Sequence, residues 1–589
     1  MRRYILAAAL LLTALAAPAQ NLNPTVEVTN AFDGKLLDLH KPLQEMALPD
    51  SLTKFDLNFD YSIFDNPYKG VYEFKPYFVD MTPQPDAYDG NKLYLRLGAG
   101  YPLRPVFDFV WSPLPAGGPF TLNVYASHNS YIGSYRNIYA ARKNGENRLQ
   151  SNHENGEPLL DNPTTDGYDV CNKAGVNGLL EWNGGGFSFD AYYYGLLNNL
   201  YEKSVYNAAD ITLGVKSKDR GGTFMYYDAN LNYRFSSDRI EALNPLNIHD
   251  IRAYGTFGPV LESHNRLLID ADLALAIYGG LFDASIGDFS FTPRYVLSYR
   301  GINLSVGARV AIPIHEGTDS YGKELNPGKG QFVYPAIHAD FVLWKDRLDL
   351  YTDITGGEDI HRYSDLKGYN HFFNAGFGRG IGPLTELSFE RVNARLGLRG
   401  NILNRFRFDV SGGWKYTANG LLEAVGMGLL KSGNLPDYIV PAVTYGNYQM
   451  AFADLKMVYD GKPVLVEGIL SWKWTDMLDR GLTGFEPSPL TAFLRGTYSW
   501  RDRIKTGLYL DMALGRSGLV APLPTSGITT TPQIKVPGFV DLGVFAEFAI
   551  NRHLSLWVEG GNLLNQTIQR VPVFTSSGIS GRLGIALVF

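Results

Sequence analysis

The final stretch of the chain, from Ser577 to Phe589, alternates in a way few folds accommodate. Ile579, Gly581, Leu583, Ile585, Leu587 and Phe589 fall on one face of an extended strand, and Ser580, Arg582, Gly584, Ala586 and Val588 on the other. Such a strand presents hydrocarbon to one side and a mixed surface to the other. A long chain that ends on an aromatic residue also has no polar tail to solvate. The expectation is a strand in contact with lipid, with Leu583, Ile585, Leu587 and Phe589 as a C-terminal insertion signal read by the barrel-assembly machinery.

The N-terminus points to the same compartment. Arg2 and Arg3 precede an apolar run from Tyr4 to Ala14, and Ala17-Pro18-Ala19 follows as a small-x-small site. This reads as a secretory signal peptide over residues 1–19, cut between Ala19 and Gln20. The run is too short to span a bilayer and no cysteine follows the site, which disfavours a signal anchor and a lipoprotein. Beyond it no stretch of about 18 apolar residues occurs, so a transmembrane helix is not expected. A closed β-barrel is the other structure that satisfies every backbone group in lipid.

Composition suits that answer. The chain has 37 Tyr, 33 Phe, 8 Trp and 63 Gly, yet its mean hydropathy is only −0.13, as expected of strands apolar on one face. The single cysteine, Cys171, excludes a disulfide scaffold. A formal net charge of −6 gives no reason to expect a nucleic-acid partner.

The second half of the sequence resolves into hairpins. Phe406, Phe408, Val410, Gly412, Trp414 and Tyr416 alternate with Arg407, Asp409, Ser411, Gly413 and Lys415. Before them Val392, Ala394, Leu396 and Leu398 alternate with Asn393, Arg395, Gly397 and Arg399, and the pattern recurs over residues 504–514 and 540–550. A dry core would reject the charges opposite each apolar stripe, whereas a polar lumen accepts them. Arg395, Arg399, Arg407, Asp409, Lys415, Glu467 and Lys473 are therefore candidate lumen charges. Short turns at residues 300–301, 345–347, 401–405, 460–463, 501–503 and 551–553 alternate with long polar segments at 358–386, 418–446 and 516–536. Counting back from Phe589 predicts an all-β, transmembrane antiparallel barrel of about 22 strands (range about 18–24) over residues 92–589, with residues 199–266 the hardest to divide.

By Leu554 to Asn565, which reads Leu-Ser-Leu-Trp-Val-Glu-Gly-Gly-Asn-Leu-Leu-Asn, and the Gly581-Arg582 strand that follows, the chain resembles the end of TonB-dependent receptor barrels. Phe64-Asp65-Asn66-Pro67-Tyr68-Lys69-Gly70 and Tyr72-Glu73-Phe74-Lys75-Pro76-Tyr77 look like the N-terminal segment of plugless barrels from the Bacteroidota. The resemblance implies a Gram-negative outer-membrane barrel surrounded by outer-membrane lipid, but residues 20–91 are too few for a complete plug. An unobstructed barrel of that size leaks, so inward-folded loops together with residues 20–91 are expected to occlude it. Thr25, Val26, Glu27, Val28 and Thr29 resemble the short segment that adds a strand to TonB; a flexible leader is the plainer reading.

Other motifs weigh less. Ser127-His128-Asn129-Ser130-Tyr131 holds a nucleophile and a base, but neighbours on a strand point to opposite faces, so Ser127 and His128 do not pair and no enzyme is expected. Gly356-Gly357-Glu358-Asp359-Ile360-His361 and the pair Asp270 and Asp272 offer oxygen ligands for calcium without the spacing of a calcium loop; solvated charge is the adopted reading, and no cofactor is expected. Tyr295, Tyr299, Tyr334, Trp344, Trp472, Trp474, Tyr498, Trp500 and Trp557 are assigned to interface girdles, with Trp557 the best placed for the lumen. Two functional classes survive: a channel or transporter for a polar solute, and a scaffold or accessory subunit of a multiprotein envelope or secretion assembly gripping a surface lipoprotein or other envelope proteins.

Overall fold

The computed structural model describes residues 92–589 apart from 115–117, 137–141, 144–145, 148–163, 200–202, 218–224, 241–243, 263–264, 318–332, 346, 374, 376–384, 403–404, 428–438, 462, 480–483, 501–502, 520–532 and 573–577. The leader, the Ala19–Gln20 cleavage site, the TonB-box-like residues 25–29 and the segment 20–91 lie outside the described residues.

Among the described residues, twenty-two barrel strands run in chain order. They are β1 Leu93–Tyr101, β2 Val106–Trp111, β3 Phe120–Arg136, β4 Thr164–Trp182, β5 Gly185–Asn199, β6 Lys203–Ser217, β7 Met225–Ile240 and β8 Leu246–Glu262. Next come β9 Asn265–Gly279, β10 Ala284–Tyr299, β11 Ile302–Gly317, β12 Val333–Trp344, β13 Leu348–Ile360, β14 Leu387–Ile402 and β15 Phe406–Met427. The rest are β16 Ile439–Gly461, β17 Val464–Met477, β18 Leu490–Trp500, β19 Ile504–Ala513, β20 Phe539–Ala549, β21 Leu554–Gly561 and β22 Ser580–Val588. Each pairs antiparallel with its chain neighbours, and β22 returns to β1 in a register from Tyr94 opposite Val588 to Tyr101 opposite Gly581. Phe589 completes this seam: its N–H donates to Leu93 O at 2.8 Å, and its carbonyl accepts from Leu93 N at 2.7 Å. Closure leaves no open edge, as a bilayer requires.

Alternation decides which side chains face out. Leu97, Ile211, Leu213, Leu396, Trp414, Val558 and Leu583 are exposed on the outer face. On the opposite face of the same strands lie Arg96, Asp210, Arg395, Lys415, Glu559 and Arg582. At the seam Gly98 and Gly584 leave room for the Trp557 ring; a Cβ on either would run into it.

The connections sort into two ends. One carries tight turns, including residues 183–184, 300–301, 345–347, 403–405 and 550–553, and Arg300 and Gly301 both take positive φ (46° and 81°) as a two-residue hairpin requires. The other carries the long connections, including residues 137–163, 318–332, 361–386, 514–538 and 562–579. The expected loop at 418–446 is largely strand: β15 has 22 residues and β16 has 23, where about 9–11 span a bilayer. Their outer halves extend past the length that a bilayer span needs. There Gly484–Phe485 pairs with Glu423 of β15 and with Arg516–Leu519, which pairs in turn with Gln533–Val536, so the expected loop at 516–536 also begins and ends as strand. Residues 358–360 of the first expected loop likewise belong to β13.

Candidate functional site

The connection between β13 and β14 carries a short helix, α1 (Tyr363–Tyr369), whose Tyr363, Ser364, Leu366 and Lys367 are all buried. A surface loop would leave these side chains in water. Instead this strap meets β4–β9, across the mouth from β13 and β14. Tyr363, Leu366, Phe373 and Ala375 join Leu246, Ile248, Ala276, Tyr278 and Ile286 of the wall in one apolar cluster. The backbone N–H of Tyr363 donates to Tyr278 Oη at 3.2 Å.

Polar latches hold the strap in register. Lys367 and Asp238 of β7 form an ion pair at 3.3 Å with both side chains wholly buried. Lys367 Nζ also donates to Ser204 Oγ at 2.9 Å and to Phe373 O at 2.8 Å, so its three protons are spent. Asp238 accepts from Ser204 Oγ at 3.0 Å and from Tyr363 Oη. Burial pushes the Lys367 ammonium below the usual lysine range, and Asp238 opposes the shift. Ser364 Oγ donates to Asp250, His371 Nδ1 lies 2.7 Å from Asp169 Oδ2, and Phe372 packs edge-on to Tyr135 at 5.4 Å.

The strap's far side ties into the remaining loops. Tyr369 Oη donates to Glu423 at 2.7 Å, Glu423 pairs with Arg516, and Arg516 donates to the carbonyl of Arg570 at 2.7 Å. Arg570, in the connection before β22, reaches Asp511 and Asp541, each at 2.7 Å. Burial works against the charged guanidinium, but the two carboxylates outweigh it and hold Arg570 above its usual range. A continuous polar chain thus runs from the strap to the wall at β19 and β20.

The seven candidate lumen charges occupy the inner face of β14, β15 and β17. Arg399 bridges Asp340 (2.9 Å) and Asp349 (3.4 Å), and Arg395 lies 3.9 Å from Asp454 and over the Phe452 ring. Asp409 accepts from Tyr351 Oη at 2.8 Å, and Lys415 pairs with Glu390 at 3.6 Å. Arg407, on β15, lies opposite Val458, whose partner on the next strand is Glu467; Lys473 lies opposite Phe452. The sequence reading missed the strap residues Lys367 and Tyr369 and the residues that hold the strap, Asp238, Glu423, Arg516 and Arg570. The signal was there: Tyr363, Leu366, Tyr369, Phe372 and Phe373 are too apolar for a segment meant for water.

Other assignments shift. Tyr334, expected in a girdle, is 1% exposed and its hydroxyl meets Glu358 on the inner face. Trp557 also points inward, under the Arg96 guanidinium at 4.0 Å, whereas Tyr295, Tyr299, Trp344, Trp472, Trp474, Tyr498 and Trp500 are exposed. His128 bonds to Asn172 (2.7 Å) and Ser130 (3.1 Å) and leaves Ser127 on the other face. Gly356 to Ile360 belong to β13, with a bulge between Thr355 and Gly357, and are no calcium loop. Asp270 is held by Arg294 at 2.6 Å, and Asp272 lies 4.0 Å from Arg252. Among the described residues no group of three or more His, Cys, Asp and Glu side chains is arranged to hold a metal.

No family model matches this chain, and no curated protein matches its sequence. Solved structures do. The FrpB iron transporter from Neisseria meningitidis superposes with a TM-score of 0.59 at 12% identity, over 85% of this chain and 81% of that one. The copper transporter OprC gives 0.57 at 11% identity over 85% and 80%. The siderophore receptor PirA from Acinetobacter baumannii gives 0.55 at 9% identity over the same shares. The likeness is one of fold: a large closed antiparallel β-barrel, the architecture that the alternating strands of the sequence predict.

Proposed function

We propose that this protein is an outer-membrane channel or transporter for a polar solute whose barrel is gated at its long-loop end by the strap of residues 361–386. The observation that carries the reading is the strap itself. A barrel of 22 strands is wide enough to leak, and a segment that sends an ammonium, a phenol and an apolar cluster across the mouth to β4–β9 closes a path that would otherwise stand open. A purely structural barrel has less use for a closure that is hydrogen-bonded at one wall and roped to a second loop at the other. The polar, charge-lined inner face supports a polar solute, since ions and hydrogen-bonding solutes pass where carboxylates and guanidinium groups replace water. The shared fold with transporters and receptors supports the same class.

The test is conductance of the purified full-length protein in a planar bilayer. The wild-type barrel is expected to be closed or to open in brief steps. Replacing residues 363–384 by a short Gly-Ser linker is expected to give a large, steady conductance. If the strap-free protein inserts and stays silent, transport through this lumen is wrong and the scaffold reading takes its place. Removing residues 20–91 alone, with the strap intact, is expected to raise permeability to large antibiotics; unchanged uptake would leave occlusion to the loops.

A further inference from the structure

The short-turn rim is lopsided in charge. Every turn from β10 to β21 at that end carries a basic side chain: Arg300, then Lys345 and Arg347, then Arg405, Lys462, Arg503 and finally Arg552. Those in the described residues are all exposed. Asp346, Asp460 and Asp502 lie among them and leave the arc net positive, with Arg501 adding to it. The four turns of the other half of the rim differ. Residues 112–119, 183–184 and 263–264 hold no lysine or arginine, and residues 218–224 hold Lys218 and Arg220 beside Asp219.

Aromatic residues on the outer face accompany the basic arc. Tyr299 is 51% exposed, Trp344 60% and Trp500 54%, each at the end of its strand next to one of these turns, with Tyr459 beside the fourth. Two of the bases rest on this girdle: the Arg300 guanidinium lies 5.0 Å from the Tyr299 ring centre and that of Arg347 lies 4.6 Å from Trp344. Girdle aromatics settle where hydrocarbon gives way to headgroups, so a guanidinium stacked on one is held at the depth of lipid phosphates. Arginine's planar fork suits a phosphate diester better than a point-charge ammonium does.

We infer that this arc is a binding surface for anionic phospholipid headgroups of the leaflet that the short turns face. The position of the aromatics favours lipid over a docked acidic protein. A protein seated on the rim would meet the turn tips, and the outward girdle rings would add nothing to its binding. The inference rests on the membrane placement of the barrel and is independent of whether the lumen conducts.

Brominated lipids test it, because bromine quenches tryptophan at contact and Trp344 and Trp500 border the arc. Full-length protein is inserted into vesicles of phosphatidylcholine with increasing brominated phosphatidylglycerol, and separately with brominated phosphatidylcholine. Insertion is checked by heat-modifiable migration. The wild type is expected to select the anionic lipid at least about five-fold, the effect of a single base at about 1 kcal/mol near a charged surface, and to lose most of that preference at 0.5 M salt, where the Debye length falls to about 4 Å. R300Q/R347Q/R405Q/R503Q/R552Q is expected to quench equally with both lipids, whereas K218Q/R220Q keeps the preference. Equal quenching in the inserted wild type, a preference untouched by salt, or a quintuple variant as selective as the wild type would each overturn the inference, and the first would leave an acidic protein as the arc's partner. If the quintuple variant fails to insert, the wild-type lipid and salt comparisons still decide. A protein that does not insert at all refutes the membrane reading instead.

Discussion

At the scale of single residues the strap depends on a buried ion pair, and such pairs are costly to break. Lys367 and Asp238 have no solvent to turn to, so removing one leaves the other charged or half-bonded in the barrel mouth. Breaking one such pair costs about 3–5 kcal/mol, whereas replacing both partners by apolar groups is often neutral. Lys367→Met alone is therefore expected to unseat the strap, and Asp238→Leu alone to do the same. The double variant should recover much of the loss, because Ser204 and Tyr363 can then satisfy one another in place of the carboxylate. Proteinase K nicking between residues 361 and 386 measures the seating, and the recovery in the double variant is the informative number. Equal nicking in wild type and both single variants would show that the apolar cluster alone holds the strap.

At the scale of elements the strap hinges on His361, between β13 and α1. Its Nε2 lies 2.6 Å from Ser388 Oγ and its ring lies against Tyr445 at 5.8 Å. Burial lowers its pKa below the usual histidine value; Asp359 and Asp365 oppose this and Lys415 adds to it. A depressed folded pKa means that the seated strap holds fewer protons than the released one. The stability of the seat is thus fully present above pH ~6.5, the value of a solvated histidine, and is lost as the pH falls toward the lowered one. Proteinase K nicking and open probability are both expected to rise between pH 7.5 and 5, and His361→Gln to flatten the rise. A wild-type profile as flat as that of the variant would remove His361 as the cause.

The same region shows where a sequence stops being readable. The strands that face lipid on one side and a polar lumen on the other could be read almost residue by residue from alternation, down to the seam at Phe589. In the mouth that contrast disappears. Leu421 and Leu422 are both buried, as are Ala442, Val443, Thr444 and Tyr445, because the strap fills the space inside while other loops cover the outside. A strand buried on both faces has no period-two signal, and the region from 418 to 446 looked like a Gly-rich loop for that reason. The latch residues were hidden for a different cause. Lys367 and Asp238 lie far apart in sequence, and only the closure of the barrel brings them together.

Across the whole molecule the inner wall separates its charges. Asp190, Asp210, Asp228, Asp270 and Asp272 line β5–β9 with Asp238 and Asp250 nearer the mouth, and they outnumber the bases among them, Lys216, Arg234, Arg252 and Arg266, with Arg294 of β10 reaching Asp270. Arg395, Arg399, Arg407, Lys456, Lys473 and Arg495 line β14–β18, with Asp409, Asp454 and Glu467 among them. These arcs sit on opposite sides of a closed ring of twenty-two strands. The strap obeys the same division: its cationic Lys367 and its His371 go to Asp238 and Asp169 on the acidic side. A lumen polarised in this way offers cations and anions separate lanes, so neutralising one wall should shift selectivity in one direction and neutralising the other wall in the opposite direction. In the strap-free barrel, R395Q/R399Q/R407Q is expected to move the reversal potential in a potassium chloride gradient toward cation selectivity, and D190N/D228N/D272N toward anion selectivity. Shifts of the same sign, or none from either set while conductance persists, would mean that ions pass without sensing the walls, and the inner charges would then be structural ties between neighbouring strands.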